Sequence, residues 1–90
     1  MLKIKYHTKF KKDYKLIIKR GYNLKLLEEI IDNLANEKTL LPKNKDHSLT
    51  GNYEGYRECH ITPDWLLIYR IEENNLVLVL LRTGTHSDLF

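Results

Sequence analysis

The sequence predicts an α+β protein, an N-terminal strand and a helix hairpin packed on a mainly antiparallel, twisted sheet. Three observations predict it. Leu2, Ile4 and Tyr6 alternate with Lys3 and Lys5; two stretches between residues 8 and 35 repeat their apolar residues at helical spacing; and three apolar runs crowd the last third of the chain. Ninety residues suffice for one core that buries roughly 60 to 65% of the unfolded chain's surface, so residues 1–90 are expected to form a single domain.

The alternation of Leu2, Ile4 and Tyr6 has the period of a strand with one wet face, at or near a sheet edge. Thr8 is a plausible N-cap for a first helix, in which Phe10, Tyr14, Ile17 and Ile18 share a face and Gly21 supplies a left-handed end. Asn23 can cap a second helix. Its Leu24, Leu27, Ile30, Ile31 and Leu34 form a stripe opposite Lys25, Glu28, Glu29 and Asp32, and the short connection implies a hairpin.

Residues 36–55 are rich in turn formers and read as a loop, with a short strand near Ser48–Leu49. Three strands follow, at Tyr56–Thr62, Trp65–Ile71 and Leu76–Thr83, joined by turns at Pro63-Asp64 and Glu72–Asn75 into an antiparallel meander. The unbroken apolar run Leu76–Leu81 implies a strand covered on both faces. Alternation in the first of these strands sets Glu58 and His60 on one side and Cys59 and Ile61 on the other. If the helices cover Cys59, then Glu58 and His60 face the opposite surface.

The charge is uneven as well as positive. Fifteen Lys and Arg oppose twelve Asp and Glu, and residues 1–20 carry eight of the cations against Asp13 alone. Such a basic face suits nucleic acid or an acidic protein. A lone Cys59 offers neither an intramolecular disulfide nor a paired-cysteine metal site, which fits a reducing compartment. The N-terminus has no apolar run long enough for a signal peptide, and the longest run elsewhere is too short to span a bilayer. A cytoplasmic protein with no membrane association is the expectation.

Three of the four histidines lie in the second half of the chain. His47 is in the loop, His60 near a strand end, and His86 beyond the last strand; Asp64 sits in the turn between. Folded onto one surface, these groups make a proton-transfer site, because imidazole both accepts and donates protons near neutral pH. Attack of a 2′-hydroxyl on its own phosphodiester needs a base for the hydroxyl, an acid for the leaving 5′-oxygen and a cation for the phosphate; Arg82 is the natural cation. Trp65 and Phe90 read either as core or terminal residues or as aromatics that stack on a base. His7 reads as structural, near a helix cap. No HExxH or paired Cys/His spacing supports a metal site.

The runs Lys45-Asp46-His47-Ser48-Leu49-Thr50-Gly51, Tyr56-Arg57-Glu58-Cys59-His60-Ile61-Thr62-Pro63-Asp64-Trp65-Leu66-Leu67-Ile68-Tyr69 and Arg82-Thr83-Gly84-Thr85-His86-Ser87-Asp88-Leu89-Phe90 closely resemble the YafQ branch of the RelE/ParE toxin superfamily. The resemblance covers essentially the whole chain. It implies a RelE-like fold and the toxin of a bacterial type II toxin–antitoxin system, a ribosome-dependent endoribonuclease that enters the A site and cuts mRNA without a metal or other cofactor. It implies a cognate, neutralising, acidic antitoxin of the DinJ/RelB kind, with a monomeric toxin held in a hetero-oligomer. By position, His47, His60, Asp64 and His86 match the catalytic set, Arg82 a phosphate-binding arginine and Phe90 a substrate-positioning aromatic. Trp65, Lys45 and Glu58 are further RNA-binding candidates. The roles expected are His86 or His60 as acid, with Asp64 or His47 as base or orienting partner.

Two rivals share the fold or the charge. A ParE-like toxin inhibits gyrase without cutting RNA, and a basic RNA-binding module uses only its lysines. Neither needs three histidines and an aspartate at these positions.

Overall fold

The computed structural model describes residues 1–90. β1 (Lys3–Tyr6) leads into α1 (Thr8–Lys19) and α2 (Leu24–Ala35). The cap of α1 is His7 rather than Thr8: the imidazole Nδ1 accepts from the Lys9 amide at 3.1 Å, satisfying one of the helix's orphan donors. Thr8 is therefore the first helical residue. α1 buries Phe10 and Ile17, but Ile18 is half exposed. At about 100° per residue Ile18 lies roughly 80° around the helix from Phe10, at the stripe's edge. Gly21, at φ +75°, turns the chain, and the Asn23 side chain caps α2 through the Lys25 amide.

The long loop is pinned rather than free. It holds two 3-10 turns, Pro42–Asn44 and Gly51–Tyr53, with β2 (His47–Ser48) between them, one residue earlier than expected. Buried Asn44 donates from Nδ2 to the His60 carbonyl at 2.8 Å, tying the loop to the sheet. β3 (Arg57–Thr62), β4 (Trp65–Glu72) and β5 (Val77–Gly84) then form the meander, and α3 (His86–Leu89) closes the chain. Leu76 does not open β5; it is exposed in the preceding turn with φ +54°.

The sheet order is β1-β5-β4-β3-β2, with β1 parallel to β5 and every other pair antiparallel. The α+β architecture with a mainly antiparallel sheet is thus the one the sequence predicts. On the helix-covered face, Cys59, Trp65, Leu67, Tyr69, Leu78 and Leu80 pack against Phe10, Ile17, Leu27, Ile30 and Leu34. The opposite face carries only a small apolar patch of Leu66, Ile68, Leu81 and Leu89, bordered by Leu49, Tyr53 and Tyr56.

Two irregularities adjust strand ends. Pairing runs His60↔Leu66 then Thr62↔Trp65, so Ile61 is the extra residue; it runs Ile68↔Arg82 then Tyr69↔Leu80, so Leu81 is the extra one. Each bulge re-aims the side chains next to it, the first immediately beside His60.

Candidate active site

The site forms on the face the helices leave open. Glu58 is its centre: its side chain is 5% exposed, Oε1 lies 3.4 Å from His47 Nε2 and 3.8 Å from His60 Nε2, and Oε2 is buried without a hydrogen-bond partner. β2 supplies His47 because the register sets His47 directly across from Glu58. His86 arrives on α3, with its ring 5.8 Å from that of His60 and 6.2 Å from that of Phe90.

The three imidazoles are held alike. His47 Nδ1 is 2.6 Å from the Lys45 carbonyl, His60 Nδ1 3.3 Å from the Pro63 carbonyl, and His86 Nδ1 3.4 Å from Asp64 Oδ1. Carbonyl and carboxylate oxygens only accept, so each Nδ1 carries the hydrogen and each Nε2 is left as the working atom. For His47 and His60 that atom faces Glu58.

His47, His60, Asp64 and His86 are therefore brought to one surface, but not as equals. The Asp64 side chain is 74% exposed and has its polar contacts with His86, through the ring and the backbone amide. The carboxylate at the centre is Glu58, which the sequence placed among RNA contacts. Exposed Lys45 takes a left-handed turn two residues before His47 and makes no ion pair. Phe90 is exposed beside His86, and its ring meets Tyr53 edge-on at 5.4 Å. Tyr53 also donates to the Leu89 carbonyl at 3.1 Å. Sequence reading missed it, since an aromatic in a turn-rich loop has no periodicity to mark its face.

Two expectations are corrected. Trp65 is a core residue rather than an open aromatic at the site: it is 3% exposed, edge-on to Tyr22, with its indole N–H donated to Thr83 Oγ1 at 2.9 Å on the helix-covered face. Strand alternation already puts it opposite Leu66, away from the site. Arg82 is not a free phosphate-binding cation, because Asp13 of α1 takes both prongs of its guanidinium at 2.7 and 3.1 Å. Those hydrogen bonds raise its pKa and fix its charge in an internal pair.

Behind β2 a second polar group fastens the loop. Asp46 accepts from Tyr69 Oη at 2.6 Å and from Arg57 Nε at 3.2 Å. Burial, and then this hydrogen bond, push the Tyr69 phenol up, so it remains a donor that holds the residue next to His47.

A ligand atom each from Glu58, His60 and His86 lie within 4.8 Å of one another, close enough to hold a metal ion. Imidazole and carboxylate suit zinc or copper. No spacing in the sequence announces this set, since its members come from β3 and α3.

The family model described as the bacterial toxin of type II toxin–antitoxin system, YafQ, matches residues 2–90. The chain belongs to the YafQ toxin family. The mRNA interferase toxin YafQ of Escherichia coli K12 is 41% identical over 88 residues, covering 97% of this chain and 94% of that protein. Among solved structures, a metal-bound toxin from Helicobacter pylori superposes with a TM-score of 0.94 at 49% identity over the whole of both chains. YafQ in the E. coli DinJ–YafQ complex does so with a TM-score of 0.89 at 38% identity, covering 100% of this chain and 99% of that one. The YafQ-family resemblance read from the three motif runs is thereby established, and with it the RelE-like fold class.

Proposed function

We propose that this YafQ-family chain is an mRNA interferase, an endoribonuclease that cuts mRNA and is neutralised by a cognate antitoxin of the DinJ kind in the cytoplasm. What carries the reading is the convergence of three imidazoles with identical tautomers around one buried carboxylate. The E. coli relative that is named an mRNA interferase toxin, and the DinJ–YafQ complex, support the reaction and the partner. The uneven basic charge suits RNA and the ribosomal A site as well as an acidic antitoxin.

His86, oriented through Nδ1 by Asp64, takes the proton of the 2′-hydroxyl at Nε2. The Glu58 group holds the complementary proton, and His60 delivers it from Nε2 to the departing 5′-oxygen. His47 shares and replenishes that proton from across the strand pair. This makes Asp64 an orienting partner and His60 the acid. With Arg82 engaged by Asp13, the phosphate is met by His60 in its protonated form and by Lys45 at the rim, while Phe90 stacks on the base flanking the scissile bond. A metal held by Glu58, His60 and His86 would occupy the lone pairs that proton transfer uses, so its chemistry here is blockade.

The test is induction in a bacterium of the wild type, His60→Ala and His86→Ala, scoring growth arrest and mRNA cleavage. Loss of both in either variant supports the reading. Wild-type toxicity with intact mRNA would instead point to a non-cleaving toxin, and a supercoiling assay with purified gyrase would identify it.

A further inference from the structure

We propose that Arg20 and Asp88 form a positioning clamp that sets His86 and Phe90 in the active site. The proposal rests on His86 being a proton-transfer group. α3 is four residues long and cannot hold itself in water, so its placement depends on what grips it. Part of the grip is local: Thr85 Oγ1 accepts from the Asp88 amide, and Asp88 Oδ2 accepts from the Thr85 amide at 2.9 Å, closing a capping box. That box fixes the turn's shape but not where the turn sits relative to His60.

Arg20 supplies the missing coordinate. It is the C-cap of α1, its own amide bonded to the Leu16 carbonyl at 3.0 Å, on a helix anchored in the main core by Phe10 and Ile17. From there its Nη1 and Nη2 reach Asp88 Oδ2 and Oδ1 at 2.7 and 3.1 Å, across 68 residues of sequence. A two-pronged contact fixes direction as well as distance, which an ammonium cannot do. Gly84 makes room for it: a Cβ there would stand 2.8 Å from Asp88 Oδ2. The helix layer on one face of the sheet thus holds the catalytic turn on the other.

The experiment uses purified wild type, Arg20→Ala, Arg20→Lys and Asp88→Asn, with His86→Ala as reference, on a single-stranded RNA oligonucleotide and on ribosomes programmed with mRNA. Cleavage kinetics are paired with NMR amide order parameters for residues 85–90 of the free protein. Arg20→Ala and Asp88→Asn are expected to lower kcat about 10- to 100-fold with KM unchanged, as a displaced catalytic group does, with Arg20→Lys between them and wild type. Order parameters at residues 86–90 should fall below about 0.6 in the first two variants. Unchanged order parameters overturn the clamp. So does a raised KM with unchanged kcat, which would make Arg20 an RNA contact. If His86→Ala cleaves like wild type, the role given to His86 fails, and the order parameters alone still decide the clamp.

Discussion

The two faces of the sheet are built from neighbouring residues of the same strands and obey opposite rules. Facing the helices, Cys59, Trp65, Leu67 and Tyr69 are buried, and the polar tips of Trp65 and Tyr69 each have a partner. Facing away, Glu58 is equally buried, yet one carboxylate oxygen has no partner and the other is shared at long range by two imidazoles. A satisfied polar group stabilises a fold, whereas a buried unsatisfied one costs about 1–3 kcal/mol. The open face therefore spends stability on a poised proton site, and the covered face supplies it.

Substituting the centre of the open face should give the largest effect on activity and little loss of stability. Glu58→Gln keeps the shape and removes the charge that assembles His47 and His60. Single-turnover RNA cleavage is expected to fall at least ~10²-fold, the scale of lost acid–base catalysis. Urea unfolding should show a midpoint equal to or above wild type, because a neutral amide costs less to bury than a carboxyl group with one unpartnered oxygen. A Glu58→Gln protein that cuts normally would remove Glu58 from the mechanism. A protein that fails to fold would make it a structural residue.

The mirror experiment is Trp65→Ala on the covered face. Loss of a buried indole is expected to cost about 3–5 kcal/mol. Cleavage per folded molecule should remain near wild type, read by normalising activity to the folded fraction at low temperature. A normal unfolding midpoint with lost RNA binding would restore the sequence-based expectation that Trp65 meets the substrate.

A metal should act on one face only. Micromolar zinc or copper is expected to slow cleavage several-fold or more, reversibly with chelator, through Glu58, His60 and His86. His60→Ala should weaken the binding itself, seen by calorimetry, independently of activity. Inhibition that persists with unchanged affinity in His60→Ala would place the ion elsewhere.

These contrasts show what sequence patterning conveys. Periodicity located β1 and both long helices, because burial of one face imposes a period of 2 or 3.6 on the residues themselves, and continuous apolar runs bounded by turn formers located the central strands. It also separated Glu58 and His60 from Cys59 correctly. Partners that meet across the fold left no such trace. Asp13 neutralises Arg82 from 69 residues away, and Asp88 meets Arg20 from 68. Nothing local to Arg82 distinguishes a free cation from an occupied one. Burial depth had the same limit: Glu58 and Asp64 are both acidic residues on one hairpin, and only the packing of His47 over β3 makes Glu58 the central one.

The smallest expected effect is also the cleanest test that the faces titrate separately. Burial, with help from Asp46 and then Glu58, pushes the Cys59 thiol up to about 12, although its neighbours in sequence belong to the proton site. An unfolded thiol ionises near 8.5, so above that pH the unfolded chain loses a proton the folded one keeps. Stability from this source is complete below about pH 8.5 and declines as pH rises from there toward 12, with a slope approaching ~1.4 kcal/mol per pH unit. Tyr69 is raised as well, but an unfolded tyrosine ionises near 10, which leaves roughly pH 8.5 to 10 to the cysteine. Urea unfolding across that window should show the decline in wild type and a flatter profile in Cys59→Ala, whatever the variant's absolute stability. Equal slopes would mean that Cys59 ionises in the folded protein, and that the covered face is open to solvent directly behind the site.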